Sequence, residues 1–336
     1  MSLISGPPGA TSSATGVPLT WVVVIVLVVA GAGVATTAVF MSPRPSPAPG
    51  SITVTDDLGR TVTAPFAPAR VVVLGPSIVD LLYRLGLRSH IVGVDCYAAA
   101  DGGLSDDYSA DQISLWSLTS AMCVQVAPEF VPSMLADLTP SLVLAATIVS
   151  TAEVEQVASE IGVPVLMLQP PTLSGVQVDA SLIGEVFGVE TQAAALNAQL
   201  AAELYNATNV TATAVSLPTV LLTYSADTNG YWTYGPGTFG ESLLEITGAR
   251  SISANASTPY PELTAAQVLA SQPQWIVYGI GFGLTESYYA SGPSWSEFQA
   301  VKDGNVTGID SNWLAEPDPT MILDGIPALL AVFHPG

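Results

Sequence analysis

The stretch ARVVVLGPSIVDLLYRLG, residues 69–86, sets a run of four apolar residues against a helical segment with only GPS between them. A short β-branched run bounded by Gly and Pro is a buried strand, and the segment after it is a helix. The unit recurs. Strands are expected at 71–74, 91–94, 142–146 and 163–168, with helices at 78–85, 131–138 and 152–161, and ITVTDDLGRTVTA ahead of them reads as a hairpin turning at DDLG. Such alternation packs as a mainly parallel sheet. A stretch rich in Ala, Leu and Gln, expected to be one long helix over 191–205, interrupts the pattern. It then restarts, with strands at 219–223, 275–278 and 306–309 and helices at 239–247, 264–270, 294–300 and 319–333. The fold class is α/β: two Rossmann-like lobes, 52–188 and 214–336, bridged by one long helix and linker at 189–213.

Ahead of the lobes, PLTWVVVIVLVVAGAGVATTAVFM, residues 18–41, carries no charge and has about the roughly 20 residues that a bilayer-crossing helix needs. Residues 1–17 form a polar tail without Lys or Arg, and the apolar run exceeds that of a cleaved leader, so an uncleaved transmembrane anchor is expected. The Pro-rich SPRPSPAPGS, residues 42–51, is an extended spacer. Four N-x-[ST] sequons, at Asn206, Asn209, Asn255 and Asn305, favour glycosylation and place the soluble part on the extracytoplasmic side of the cell membrane. Cys96 and Cys123 are either a disulfide in that oxidising setting or two partly buried thiols, and spacing alone does not decide.

Seven basic residues against 28 acidic ones give a net charge of -21, which excludes a sequence-independent grip on nucleic acid. With only His90 and His334 in the chain, a zinc or manganese site is not expected. No G-x-S-x-G elbow occurs and neither His is placed as a base, so no catalytic residue is assigned. In open α/β sheets ligands sit beyond the C-terminal ends of the strands. There the loops carry Pro76, Ser77, Tyr97, Trp116, Tyr231, Trp232, Tyr234 and Trp313, with Asp95, Thr147, Tyr224, Phe282 and Asn312 beside them. An aromatic set with almost no cations suits a large, flat, partly apolar ligand and disfavours a strongly anionic one. The helix opened by Ser77, with Asp80 completing an approximate capping box, is expected to aim its N-terminus at the crevice; the plainer alternative is that GPS is only an efficient turn.

ITVTDDLGRTVTAPFAPARVVVLGPSIVDLLYRLGLRSHIVGVD, MLADLTPSLVLAA, FGESLLEITGARSI, LTAAQVLASQPQWIVYG and SNWLAEPDPTMILDGIPAL occur in one order. Together they resemble the class III solute-binding proteins of ABC importers, which carry vitamin B12, haem and iron–siderophore chelates. The resemblance implies a monomeric bilobed receptor with no cofactor of its own, a corrinoid or ferric chelate as its small-molecule ligand, and an ABC permease as partner. Trp116, Trp232 and Trp313 fall in segments where cobalamin receptors of that family line their cleft with Trp and Tyr. Two departures stand out. Ser141 replaces a usual Asp, and Ser133 occupies the place of the first lobe's permease-docking carboxylate, leaving Glu129, with Glu241 in the second lobe, as docking candidates. A cell-surface interaction module with the receptor fold, or a cell-surface hydrolase, is the alternative.

Overall fold

The computed structural model describes residues 24–30, 33–39, 50–97, 110–127, 130–146, 151–214, 216–281 and 284–335. They fall into two units, Met1–Ala48 and Pro49–Gly336. In the first, β1 (Val24–Ala30) pairs antiparallel with β2 (Gly33–Val39). Where one transmembrane helix is expected over 18–41, the described residues 24–30 and 33–39 are paired strands, so a helical anchor is unsupported. Val, Ile and Thr dominate both strands, and β-branched side chains lose χ1 freedom in a helix but fit a pleated strand. No helix among the described residues is long and apolar enough to cross a membrane. Residues 1–17 and most of the spacer lie outside the described residues.

The second unit opens with the expected hairpin, β3 (Ser51–Thr55) and β4 (Thr61–Pro65). At its turn Gly59, with φ 73°, donates its N–H to Asp56 O at 2.8 Å. A five-stranded sheet comes next, built from β5 (Val71–Leu74), β6 (Ile91–Tyr97), β7 (Cys123–Ala127), β8 (Leu142–Ala145) and β9 (Val165–Met167). All its pairs are parallel, in the order β7-β6-β5-β8-β9. Its helices are α1 (Pro76–Arg84), α2 (Ala110–Leu115), α3 (Pro132–Asp137) and α4 (Thr151–Ile161). β5 and β8 are buried at every position, as strands covered on both faces must be.

Two helices, α5 (Gly175–Phe187) and α6 (Glu190–Ala212), lead to the second sheet. Its elements in chain order are β10 (Thr219–Ala226), β11 (Gly230–Thr233), α7 (Phe239–Ile246), β12 (Arg250–Ser251), β13 (Glu262–Thr264), α8 (Ala265–Ser271), β14 (Trp275–Ile280), α9 (Glu286–Ala290), α10 (Gln299–Asp303), β15 (Val306–Asp310), α11 (Asn312–Ala315) and α12 (Ile326–Phe333). The order is β13-β11-β10-β14-β15, with β12 beside the start of β10. β10, β14 and β15 are parallel, and β11 is antiparallel. One hydrophobic cluster joins Val71 and Val73 of the first sheet, Leu196 and Leu200 of α6, Val220 and Leu222 of the second sheet, and Leu329 of α12. The two lobes thus share a core.

Boundaries shift from those expected. α6 runs 23 residues to Ala212, past the expected end at 205. Within that added stretch Thr208 and Thr211 donate their hydroxyls back to Leu204 O and Thr208 O at 2.9 and 3.2 Å, so these polar groups are satisfied within the helix. The helix expected over 319–333 is divided: a π-helical turn, Met321–Gly325, precedes α12, which has Pro at its start. β7 and β11 form where the residue pattern suggests loop.

Cys96 on β6 and Cys123 at the start of β7 are joined by a disulfide, with their Cα atoms 5.4 Å apart. The bond closes a connection of 27 residues, which chain entropy values at about 3–4 kcal/mol. Mass spectrometry after alkylation of the native protein is expected to find both sulfurs blocked. Urea unfolding with and without reductant is expected to differ by about that energy.

Candidate functional site

β5 lies between β6 and β8, so the connections after β5 and β8 diverge to opposite faces and leave a crevice beyond the strand ends. Gly75 sits there with φ 145°, and a Cβ on it would lie 2.7 Å from Ala146 Cβ, so no other residue fits. Its N–H donates to the buried Asp95 Oδ1 at 2.8 Å. α1 then begins with Pro76, and no side chain of its own caps it. The expected capping box is absent because the helix starts one residue earlier, with Gly75 as its N-cap and Ser77 already inside the first turn; Asp80 instead accepts from Arg84 Nε at 2.7 Å. What meets the helix start is the second lobe: Ser77 Oγ donates to Glu316 Oε2 at 2.5 Å. A carboxylate is the group a helix N-terminus favours.

The same face of α1 continues the contact. Arg84 Nη2 lies 3.5 Å from Thr320 Oγ1 and 3.6 Å from Asp324 Oδ2. Asp318 Oδ1 accepts from Met321 N at 2.5 Å. Burial raises the carboxyl pKa of Asp80 and raises that of Asp318 well above the usual range, and the neighbouring Asp80 charge adds to the latter.

Above this contact Ser77, Ile78, Leu81, Leu168, Pro170, Val176, Asp179, Pro317 and Pro319 line a small pocket of about 10 Å³, room for one water molecule. Asp179, on α5, is 3 % exposed. Burial first, and the adjacent Asp57 second, push its pKa up to about 8. Asp57 is itself raised by burial, although its Oδ2 accepts from Gln169 N at 2.6 Å. An acid raised this way holds a proton in the folded state that the unfolded chain has lost above about pH 4, so the folded state loses ground as pH climbs toward about 8. Asp179→Asn is expected to remove that decline, which amounts to at most about 1.4 kcal/mol per pH unit, and urea unfolding at several pH values measures it.

In the second lobe Tyr224 and Tyr234 have ring centroids 4.9 Å apart, and Tyr234 lies 5.2 Å from Phe239. Tyr260 joins them at 6.5 and 6.1 Å and is 51 % exposed. Tyr234 donates its hydroxyl to Leu314 O, tying the cluster to the segment that carries Glu316. Sequence reasoning misses Tyr260. Its one signal is a Tyr between two prolines, PYP at 259–261, where Pro removes backbone donors and holds an aromatic on a turn.

The expected ligand residues divide. Pro76 and Ser77 are partly buried at the crevice. Trp116 and Tyr234 are 3 % exposed and Tyr231 is 0 % exposed, so these three are core. β11 explains Tyr231: strand alternation turns it inward against Trp295 and Phe298, where its hydroxyl donates to Pro293 O at 3.1 Å. Trp232 faces the other way, partly buried opposite Glu262. Trp313 is partly buried with its ring over Gly325, where a Cβ would come within 3.1 Å. The Tyr97 side chain, Glu129, Thr147 and Phe282 lie outside the described residues. Thr238 caps α7 by accepting Glu241 N at 3.3 Å, and Glu241 Oε2 accepts from Gly237 N at 2.9 Å. Asn206, Asn209 and Asn255 are exposed, whereas Asn305 is partly buried and donates its amide to Gln274 O at 3.1 Å. Among the described residues no three His, Cys, Asp or Glu side chains are grouped to hold a metal.

Two α/β lobes on a shared core, with strand-end loops converging on a crevice, are the architecture of a two-lobed binding protein. Residues 71–313 match the periplasmic binding protein family, and the chain belongs to it. A cobalamin-binding protein of Halobacterium salinarum is 26% identical over 296 residues, covering 84% of this chain and 74% of that one. An ABC transporter substrate-binding lipoprotein of Bacillus subtilis, YvrC, is 25% identical over 84% of this chain and 86% of its own length. A periplasmic haem-binding protein from Pseudomonas aeruginosa superposes with a TM-score of 0.68 at 22% identity, covering 80% of this chain and 94% of that one.

Proposed function

We propose that this chain is the monomeric extracytoplasmic receptor of an ABC importer, binding a corrinoid in the crevice between its lobes and passing it to a permease, with a neutral ferric chelate as the next ligand class. The observation that carries this is the Tyr224–Tyr234–Tyr260 cluster, exposed at Tyr260, beside a segment whose charge is the Glu316 carboxylate. Aromatic faces hold flat, partly apolar ligands, whereas anionic siderophores call for Arg or Lys. The cobalamin-binding relative supports the corrinoid, and the lipoprotein relative supports a place outside the cytoplasm at the membrane.

Titration of the protein with cobalamin, haem and ferric hydroxamates, monitored by calorimetry and Trp fluorescence, is expected to give one-to-one binding of cobalamin. No heat and no quenching with any of them overturns the proposal. Tyr260→Ala is expected to weaken binding by about 1–3 kcal/mol. Tyr231→Ala, a core truncation, is expected to lower the melting temperature instead, by about 3–5 kcal/mol of stability.

One observation favours a second reading. Ser133, exposed on α3, stands where the resemblance calls for a docking carboxylate, and Glu241 already accepts the N–H of Gly237. If Glu129 substitutes for the missing acid, Glu129→Gln and Glu241→Gln each slow uptake while leaving ligand affinity alone. If uptake is indifferent to both, the chain is a surface module with the receptor fold and no transport role.

A further inference from the structure

Charge in this chain is sorted along the strands. Of the described Lys and Arg residues, Arg70 precedes β5, Arg88 precedes β6, Arg250 lies beside Thr219 at the start of β10 and Lys302 precedes β15, so these bases stand at the N-terminal ends of the sheets. The remaining two, Arg60 and Arg84, are held by Asp56 and Asp80 at 2.5 and 2.7 Å. At the opposite, crevice end Asp227 follows β10, Glu286 follows β14, Asp310 closes β15 and Glu316 faces Ser77. The connections 98–109, 147–150 and 282–283 contain no Lys or Arg. We propose that the receptor selects cationic, incomplete corrinoids, those lacking the phosphodiester of the nucleotide loop, over cobalamin; this rests on the corrinoid reading.

Two further features disfavour a phosphate there. The start of α1, where a helix would hold one, already faces the Glu316 carboxylate. At the end of β15, Asp310 Oδ1 accepts both the backbone N–H and the side-chain amide of Asn312, each at 2.9 Å. That leaves Asn312 Oδ1 and Ser311 Oγ, in residues 9 % and 6 % exposed, without a hydrogen-bond partner among the described residues. The Asn oxygen only accepts, so it calls for an N–H donor and offers nothing to a phosphate oxygen. The amide arms around a corrin supply such donors. Its Co(III) centre supplies positive charge, which in cobalamin the phosphodiester offsets. Without the nucleotide loop that charge is uncompensated, and the carboxylates at the crevice end attract it.

The test titrates the full chain with cyanocobalamin, which is neutral, and with cobinamide in two forms on one body: aquocyanocobinamide, with a single net positive charge, and dicyanocobinamide, with none. At low ionic strength aquocyanocobinamide is expected to bind about tenfold tighter than either neutral corrinoid. In about 1 M NaCl, which screens charges beyond about 3 Å, the gap between the two cobinamides is expected to close. Glu316→Gln, which keeps an acceptor for Ser77, and Glu286→Gln, at an exposed side chain, are each expected to narrow that gap by about two- to threefold at low salt. Cobalamin that binds as tightly as aquocyanocobinamide at low salt, or a gap between the cobinamides that either salt or both variants leave unchanged, overturns the selectivity alone. Failure of all three corrinoids to bind the wild type overturns the corrinoid reading together with it.

Discussion

Arg84 reaches from the first lobe into a nest of carboxylates that belongs to both. It holds Asp80 on its own helix at 2.7 Å and faces Asp324 of the second lobe at 3.6 Å, with the buried Asp318 nearby. Taking carboxylates out of water is tolerable only while a cation or a proton accompanies them. Truncating Arg84 would leave Asp80 and Asp318 buried without that compensation, so α1 must stay against the segment at 316–324. Ser77 and Glu316 extend the same contact to the start of the helix. With the hydrophobic cluster that runs from β5 through α6 to β10, this contact sets the spacing of the two sheets and makes the crevice a preformed feature.

The crevice takes its character from what the contact places there. A helix start that would attract an anion already faces the chain's own Glu316, and the acid groups around it outnumber the bases. Glu316 and Asp57 repel anions, burial and Asp57 raise the Asp179 carboxyl, and Tyr260 leaves an aromatic face in solvent. Uncharged polar groups on a large flat body are the chemistry that such surroundings admit, and the corrinoid proposal rests on it.

Much of this is legible in the residues. The run VVVLGPS makes β5, its turn and α1 readable because a β-branched strand and a Gly-Pro break are local signals, and the parallel sheet is implied by their repetition. Spacing leaves the disulfide open, and the adjacency of β6 to β7, a strand in a stretch that resembles loop, is what draws it. Tyr231 misleads because GYWT lies between Gly and Pro-Gly signals and looks like loop; only its pairing with β10 and β13 reveals the alternation that buries Tyr231 and turns Trp232 outward. The π-helical turn before α12 has no local marker, and the Glu316 contact joins residues 239 positions apart in the chain, beyond any local pattern. The Val-rich segment at 18–41 is apolar enough for either a helix or a hairpin, and periodicity cannot separate the two in a run that is apolar throughout.

The most direct measurement is a crystal structure of the protein grown with cobalamin. The corrin is expected against the Tyr260 ring, with the α1 contact with Arg84 unbroken. A corrin bound away from Tyr260, or lobes parted so that Ser77 and Glu316 and the Arg84 carboxylates are separated, would contradict the preformed crevice and the ligand assigned to it.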